Sequence, residues 1–184
     1  MPNTLLLLAN GCEELEAVTV IDLLRRAQIE VVTAGLQAGP VTASRGTVLV
    51  PETTLEAVQE QSFDLVVLPG GLPGARYLEE DPRVLSLLQR HAAAGHVVAA
   101  ICAAPKVLAV AGLLDGRRAT AYPGCVNPAA FPQVTLVADA VVVDGRIVTS
   151  RGPGTAMDFA LCLIGLLMGE ARRQDVESEL VRGR

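Results

Sequence analysis

Apolar residues recur along the chain in two alternating kinds of segment. A short continuous apolar run at residues 4–9 is typical of a buried strand, and Gly11 interrupts it. Residues 13–28 then place apolar side chains at helical spacing, which predicts a helix. The run at residues 29–35 predicts a second buried strand. The chain therefore begins with a strand, a helix and a strand.

The later segments repeat this alternation. Glycine-containing turns predict two β-hairpins, one over residues 41–50 and one within residues 134–150 around Asp144-Gly145. Proline at the start and glycine at the stop bound a predicted helix over residues 82–95. The other predicted elements are strands at 64–71, 96–102 and 117–122, and helices at 55–60, 105–112, 158–169 and from residue 170 onward.

Strands that alternate with helices predict an α/β fold in which a mostly parallel sheet carries helices on both faces. No repeat, low-complexity segment or linker divides the sequence, so residues 1–184 are expected to form a single domain. In such folds the ligand crevice lies at the carboxyl ends of the strands. The segments that follow three strands, at residues 11–13, 70–71 and 102–103, are therefore expected to converge there.

Composition narrows the class of partner. Apolar residues make up 51% of the chain and aromatic residues only 3%, so the core must consist of aliphatic side chains. The net charge of -5 has the wrong sign for binding a nucleic acid backbone. No apolar stretch approaches the ~20 residues needed to cross a bilayer, and residues 4–9 lack the flanks of a signal peptide. We expect a cytoplasmic protein with no nucleic acid or membrane partner.

The four cysteines are scattered, form no CxxC pair and accompany only two histidines, so neither a disulfide framework nor a metal site is predicted. Cys162 lies in an apolar helix and fits a small buried hydrophobe. Cys102 differs because an apolar strand ends there and a helix follows at once, with alanines on both sides. A sharp turn with small neighbours is typical of a nucleophile, and the start of a helix favours thiolate over thiol.

Three further residues belong with Cys102 in this hypothesis. Backbone N–H groups of Ala103 and Gly71 are candidate oxyanion donors, although Gly70 and Gly71 also fit an ordinary loop after a strand. Glu16 lies in an apolar helix face and is expected to point toward the crevice. A carboxylate beside sulfur disfavours thiolate, whereas a carboxylic acid can donate a hydrogen bond to it, so Glu16 must carry a proton.

Five motifs together resemble the DJ-1/ThiJ/PfpI superfamily over nearly the whole chain. They are ANGCEELEAVTVIDLLRRA, SRG at 44–46, VVLPGG, VAAICAAP and TSRGPGT, and their order and spacing are similar to deglycases of this superfamily, especially its bacterial YajL-type branch. The resemblance implies a flavodoxin-like three-layer sandwich and a homodimer. It also implies Cys102 as nucleophile, Glu16 as its protonated partner, Gly71 and Ala103 as oxyanion donors, and a pocket lined by Gly70, Arg45, Tyr122, Gly154 and Thr155.

The sequence departs from many superfamily members at two positions. Tyr122 stands where they place a histidine beside the cysteine, and neither His91 nor His96 is placed to replace it, so protease and amidotransferase chemistry is not expected. Cys12 stands where small residues are usual, either as a filler at the helix start or as a resolving thiol. Arg25 and Arg26 match basic residues of the family but equally fit surface arginines.

These residues support two functions. In the first, the chain is a cofactor-free glyoxalase or protein deglycase in which Cys102 attacks 2-oxoaldehydes such as methylglyoxal, or their early glycation adducts, and Glu16 moves protons. In the second, Cys102 is an oxidation sensor that regulates a chaperone or stress role, because an accessible activated thiol is also oxidised readily.

Overall fold

In the computed structural model, which describes residues 1–182, seven strands form one sheet. Six strands run parallel and one edge strand runs antiparallel to its neighbour. A separate hairpin and a short parallel pair lie outside this sheet. The strands are β1 (Asn3–Leu8), β2 (Glu30–Gly35), β3 (Val41–Thr42), β4 (Val48–Leu49), β5 (Thr53–Thr54), β6 (Leu65–Leu68), β7 (Val97–Ile101), β8 (Arg118–Ala119), β9 (Thr135–Leu136), β10 (Val141–Asp144) and β11 (Ile147–Ser150).

Helices cover both faces of the sheet. They are α1 (Glu14–Arg26), α2 (Leu55–Val58), α3 (Gly74–Glu80), α4 (Pro82–Ala93), α5 (Pro105–Val110), α6 (Ala156–Met168) and α7 (Glu170–Glu179). α1, α6 and α7 pack together on one face, whereas α3, α4 and α5 pack together on the other. This arrangement confirms the predicted α/β sandwich of three layers.

The strand order places a crevice beside β1. The sheet runs β10-β11-β7-β6-β1-β2-β5. If its five longer parallel strands are numbered among themselves along the chain, the order is the 2-1-3-4-5 of flavodoxin-like folds. The next two longer parallel strands along the chain, β2 and β6, lie on opposite sides of β1. In such a sheet the crevice lies at this switch point, between the carboxyl ends of β1 and β6.

The central strands are apolar at every position because both of their faces are covered. In β1, Leu6 and Leu8 pack toward α1 and α6, whereas Leu5 and Leu7 pack toward the opposite helices, and all four are at most 2% exposed. Phe159 of α6 is the largest fully buried side chain. Two aliphatic cores therefore hold the sheet rigid beneath the crevice.

Most predicted elements are confirmed, with small shifts at their ends. Both hairpins form, one through the pairing of Val41 with Leu49 and the other through Asp144 with Ile147. No sequence pattern predicted α3, which begins at Gly74 immediately after a Gly-Gly-Leu-Pro segment. Among residues 1–182, no helix combines the length and the apolar character required to cross a membrane.

Candidate active site

The segments that follow β1, β6 and β7 meet at the carboxyl edge of the sheet, as predicted. The Glu13 N–H donates to the carbonyl of Gly70 at 2.9 Å, which connects the start of α1 to the end of β6. A Cβ added to Gly70 would lie 2.6 Å from the Cβ of Cys102. Gly70 therefore lies directly against the cysteine, and any larger residue there would displace it.

Glycine also permits the approach between Gly71 and α1. A Cβ on Gly71 would lie 2.4 Å from the Glu13 nitrogen, and the φ of +83° is one that other residues rarely adopt. These contacts bring the N–H of Gly71 to the thiol of Cys102. The predicted loop after β6 is thus a close backbone junction beneath the site.

Cys102 occupies the predicted sharp turn between β7 and α5. Its φ is +65°, a left-handed conformation that costs a non-glycine residue roughly 1–3 kcal/mol and occurs preferentially at functional sites. The turn is held by the Cys102 N–H, which donates to Ser150 at 3.0 Å, and by its carbonyl, which accepts from Tyr122 at 2.8 Å. Only 8% of the residue is exposed, and it lines a pocket.

Glu16 lies on the inward face of α1 and is fully buried. Its Oε2 accepts the Gly70 N–H at 2.7 Å, and its carboxyl group lies beside the thiol of Cys102. Within residues 1–182 its Oε1 has no hydrogen-bond partner. Burial raises the pKa of Glu16 to about 7, while the hydrogen bonds from Gly70 and Cys102 lower it and the charge of Glu13 raises it.

The environment of Cys102 differs from the sequence-based expectation. Burial, the charge of Glu16 and the hydrogen bond to Glu16 raise the pKa of the thiol to about 12, against the lowering effect of the Gly71 and Ala103 N–H groups. The helix start does not outweigh burial, so the expected lowering of the pKa is wrong while Glu16 is ionised. Two of the three raising effects come from Glu16, and they disappear when Glu16 carries the proton. Cys102 and Glu16 are thus coupled, because the protonation state of Glu16 changes the pKa of the Cys102 thiol.

The pocket above this pair has a volume of about 380 Å³. Of the residues predicted to line it, Arg45 and Tyr122 do so, both as exposed side chains. Gly154 and Thr155 do not, because Thr155 turns inward to hydrogen-bond with Ser150 and their neighbour Pro153 lines the wall instead. Gly70 lies beneath Cys102 rather than on the pocket surface. The lining residues are Glu13, Ser44, Arg45, Gly71, Leu72, Cys102, Ala103, Tyr122, Cys125 and Pro153.

Two acids at the start of α1 have roles beyond favouring the helix dipole. The hydroxyl of Ser44 donates to Glu13, which lines the pocket, at 2.8 Å. Burial raises the pKa of Glu14, but hydrogen bonds from its own N–H, from Arg45 and Thr47 and from Ser44 bring it down to about 2. Together the two carboxylates fix the loop of the first hairpin against α1, and this fixes the base of the Arg45 side chain at the pocket. Their shared hydroxyl partner, Ser44, lies 31 residues from Glu13 and 30 from Glu14, so sequence spacing could not reveal it.

The other chemically distinctive residues lie away from the pocket. His91 and His96 stand at the opposite, amino-terminal edge of the sheet. Cys12 is fully buried, and burial raises the pKa of its thiol to about 11, in line with a filler at the helix start. Arg25 pairs with Glu52 and Arg26 with Asp22, as surface arginines do. Residues 1–182 contain no cluster of three or more His, Cys, Asp or Glu side chains that could hold a metal ion.

Comparisons with known proteins agree with the motifs. A model of the DJ-1/PfpI family matches residues 3–166. Protein dj-1beta of Drosophila melanogaster is 43% identical over 97% of this chain and 96% of that protein. Glutathione-independent glyoxalase DJR-1.2 of Caenorhabditis elegans is 34% identical over 90% and 88%, respectively. The structure of oxidized DJ-1 from Toxoplasma gondii superposes with a TM-score of 0.93 at 35% identity and covers 100% of both chains.

The matches extend through the elements that build the site. The family model includes α1 with Glu16, the junction at Gly70 and Gly71, and the turn at Cys102. The YajL-type branch within the superfamily stays a prediction. Since a family model spans most of the sequence and protein dj-1beta aligns over nearly its full length, the chain belongs to the DJ-1/PfpI family.

Proposed function

We propose that the protein is a cysteine-dependent, cofactor-free glyoxalase or protein deglycase. Its substrates would be small 2-oxoaldehydes such as methylglyoxal, or the early adducts that these form on proteins, and its role would be defence against carbonyl and oxidative stress. The observation that carries the proposal is the pairing of Cys102 with Glu16, a fully buried carboxyl group whose pKa burial raises to about 7. A relative named as a glutathione-independent glyoxalase supports the same chemistry.

The first step uses a proton that Cys102 and Glu16 share. With the proton on Glu16, Cys102 is a thiolate, and its sulfur forms a bond to the aldehyde carbon while the carbonyl π bond breaks. The proton of Glu16 passes to the resulting alkoxide, which gives a hemithioacetal. The N–H groups of Gly71 and Ala103 that face the sulfur would stabilise negative charge during this addition.

The second step uses the carboxylate that the first step leaves. Glu16 removes the hydrogen from the former aldehyde carbon as a proton, which gives an enediolate, and returns this proton to the adjacent carbon. The hydroxyl proton of the hemithioacetal passes to the oxygen on that adjacent carbon. The product is a thioester of a 2-hydroxy acid. Water then breaks the carbon–sulfur bond, releases the hydroxy acid and restores the thiol. One buried acid–base group is enough because its pKa of about 7 allows both protonation states at neutral pH.

The pocket supports a small electrophile as substrate. Its volume of about 380 Å³ suits a molecule of a few heavy atoms, or the tip of a modified side chain. Arg45 supplies a cation near the rim, where it would favour carbonyl and carboxylate oxygens of the substrate and product.

Turnover of methylglyoxal tests the proposal. We expect lactate formation to fall by about a thousandfold or more in Cys102→Ser, because a neutral hydroxyl is a far weaker nucleophile than a thiolate. Cys162→Ser is the matched control, since Cys162 lies on α6 outside the pocket, and it should keep wild-type activity. Turnover that does not depend on Cys102, together with ready sulfinate formation by mass spectrometry, would reject the enzyme in favour of the oxidation sensor.

The oxidation sensor remains the second candidate because a related structure is that of an oxidized DJ-1. In this proposal Cys102 is oxidised to a sulfinate, which accepts hydrogen bonds from the protonated Glu16 and from the N–H groups of Gly71 and Ala103, and the oxidised form regulates a chaperone or stress response. The same groups thus stabilise an oxidised sulfur and a reaction intermediate. Quantifying sulfinate against turnover separates the two.

We also propose that residues 1–184 form one domain that assembles as a homodimer in the cytoplasm. Exposed apolar side chains support the dimer. Leu15 and Val18 of α1 are 50% and 46% exposed, and Val48 and Val50 on the adjoining hairpin are 59% and 77% exposed. A second copy that covers this surface would lie beside the pocket wall formed by Arg45. Sedimentation equilibrium of the full chain tests the assembly.

A further inference from the structure

Two cysteines line the pocket, and only one of them belongs to the proposed mechanism. Cys102 and Cys125 both border the cavity, whereas Cys12 is fully buried and Cys162 lies on α6. Cys125 is partly exposed and its sulfur is not in a disulfide. The chain therefore brings a second thiol to the cavity into which the reactive thiol opens.

The backbone connects the two cysteines through a single turn. The carbonyl of Cys102 accepts the Tyr122 N–H at 2.8 Å, and the carbonyl of Tyr122 accepts the Cys125 N–H at 3.0 Å. Between them Pro123 and Gly124, with a φ of +85° at the glycine, give the sequence and geometry of a type II turn. Tyr122 is thus the first residue and Cys125 the last residue of a turn that is attached directly to the nucleophile.

The segment that carries Cys125 lies outside the helices and strands. Residues 120–134 form no helix or strand, and a Cβ on Gly124 would meet no atom within 4 Å. A disulfide needs Cα atoms about 4.4–6.8 Å apart, a separation that movement of one surface turn can adjust. Burial raises the pKa of Cys125, and the charge of Lys106 offsets only part of this rise.

We propose that Cys125 is the resolving thiol for oxidised Cys102. Hydrogen peroxide transfers one oxygen to the Cys102 sulfur, which becomes a sulfenic acid while the peroxide is reduced to water. The Cys125 sulfur then attacks the Cys102 sulfur, the sulfur–oxygen bond breaks, and a second water leaves with the Cys125 proton. The resulting disulfide blocks the nucleophile reversibly and prevents its irreversible oxidation to sulfinate.

This inference rests on the proposed reactivity of Cys102, and peroxide treatment of the full reduced chain tests both. Wild type and Cys125→Ser are exposed to an excess of hydrogen peroxide, alkylated, and mapped by mass spectrometry without reduction. We expect wild type to yield a Cys102–Cys125 linked peptide that a thiol reductant reverses. We expect Cys125→Ser to accumulate Cys102 sulfinate about tenfold faster. Cys162→Ser is the matched control and should behave as wild type.

The possible failures are distinguishable. Equal rates of sulfinate formation in wild type and Cys125→Ser, with no linked peptide, overturn the resolving role and leave Cys102 as the nucleophile. A Cys102 that neither peroxide nor alkylating agent modifies overturns both proposals. A linked peptide that joins Cys102 to Cys12 instead would assign the resolving role to the other candidate and also reject Cys125.

Discussion

Two buried titratable side chains, Glu16 and His91, lie at opposite edges of the sheet and differ in how their polar atoms are satisfied. His91 is 2% exposed, and both of its ring nitrogens have partners: Nδ1 donates to the Leu87 carbonyl at 2.9 Å and Nε2 accepts the Phe63 N–H at 3.2 Å. Glu16 is fully buried, yet within residues 1–182 only one of its two oxygens has a hydrogen-bond partner.

The difference indicates a structural role for His91 and supports the chemical role proposed for Glu16. A buried polar atom without a partner costs roughly 1–3 kcal/mol, so its presence in a rigid core calls for an explanation. For His91 no such cost arises, since the ring joins α4 to the segment before β6. At Glu16 the free oxygen lies in the carboxyl group beside Cys102, where it is available to a proton, an oxidised sulfur or a substrate. Burial disfavours the charged form of both groups, so it raises the pKa of Glu16 and lowers the pKa of His91.

We expect the largest loss of turnover from Glu16→Gln, which tests the difference between Glu16 and His91. The amide keeps the size of the side chain and can still accept the Gly70 N–H, but it cannot transfer a proton. Loss of a general acid–base group reduces turnover by about a hundredfold or more. The variant should fold, because an amide avoids the burial of a charge. Retention of wild-type turnover would show that Glu16, like His91, is only structural.

Glu16→Gln should also change how the rate of Cys102 alkylation depends on pH. In wild type the Cys102–Glu16 pair holds two protons well below pH 7 and loses one as the pH rises through the Glu16 pKa of about 7. The form with the remaining proton on Glu16 contains thiolate, so alkylation of Cys102 should accelerate through pH 7. Above pH 7 the wild-type rate should level off, because Glu16 then ionises. In Glu16→Gln this inflection near pH 7 should be absent, and the rate should follow the titration of the thiol alone. An unchanged inflection near pH 7 would contradict a proton shared by Cys102 and Glu16.

A smaller effect is expected from Gly70→Ala, which tests the backbone junction beneath Cys102. The new Cβ would lie 2.6 Å from the Cβ of Cys102 and 2.8 Å from the Ile101 carbonyl, so the turn must shift. A displacement of this size at a reacting atom costs about a hundredfold in turnover. Gly154→Ala is the matched control, because its Cβ would meet nothing within 4 Å, and its turnover and thermal stability should match wild type. Equal activities would show that the glycine at position 70 is a simple loop residue.

The position of this junction could be predicted from sequence because it depends on local patterns. Apolar runs that end in Gly70-Gly71 and in Cys102 predict parallel strands, and parallel strands in an α/β sheet bring their following segments to one edge. Cys102 follows its strand so closely that only a sharp turn fits. Glu16 could be placed inward because it lies in an apolar face of a helix.

Other parts of the site depend on contacts between distant residues, which single-sequence patterns do not contain. The Pro-Gly turn before Cys125 is visible in the sequence, but its position depends on the hydrogen bond between Tyr122 and Cys102. Gly74 looks like part of a loop, yet it begins α3 and packs against the Cys12 backbone, where an added Cβ would lie 2.5 Å from the Cys12 nitrogen. The direction of the Cys102 pKa was wrong for a similar reason, since burial and the Glu16 charge arise only in the folded protein.

The smallest expected effect concerns His91 and should leave the chemistry unchanged. In His91→Leu the Phe63 N–H loses its acceptor and the Leu87 carbonyl loses its donor. The free energy of unfolding at pH 8 should fall by about 1–3 kcal/mol, the usual cost of leaving a buried polar group unpaired. The rate of Cys102 alkylation and the turnover of methylglyoxal should stay at the wild-type level. A loss of turnover without a loss of stability would mean that the two edges of the sheet are coupled.

His91 should also give folding stability a pH dependence that opposes that of Glu16. Because burial lowers the pKa of His91 below its ordinary value of 6.5, the unfolded chain binds more protons there, and stability should fall as the pH drops below 6.5. One proton limits this slope to about 1.4 kcal/mol per pH unit. The raised pKa of Glu16 acts oppositely: its contribution is fully present below 4.5 and is lost as the pH rises through about 7. Urea unfolding of Glu16→Gln at pH 5.5 and 7.5 therefore isolates the slope due to His91. Adding His91→Leu should remove that slope, and its persistence would assign it to another group.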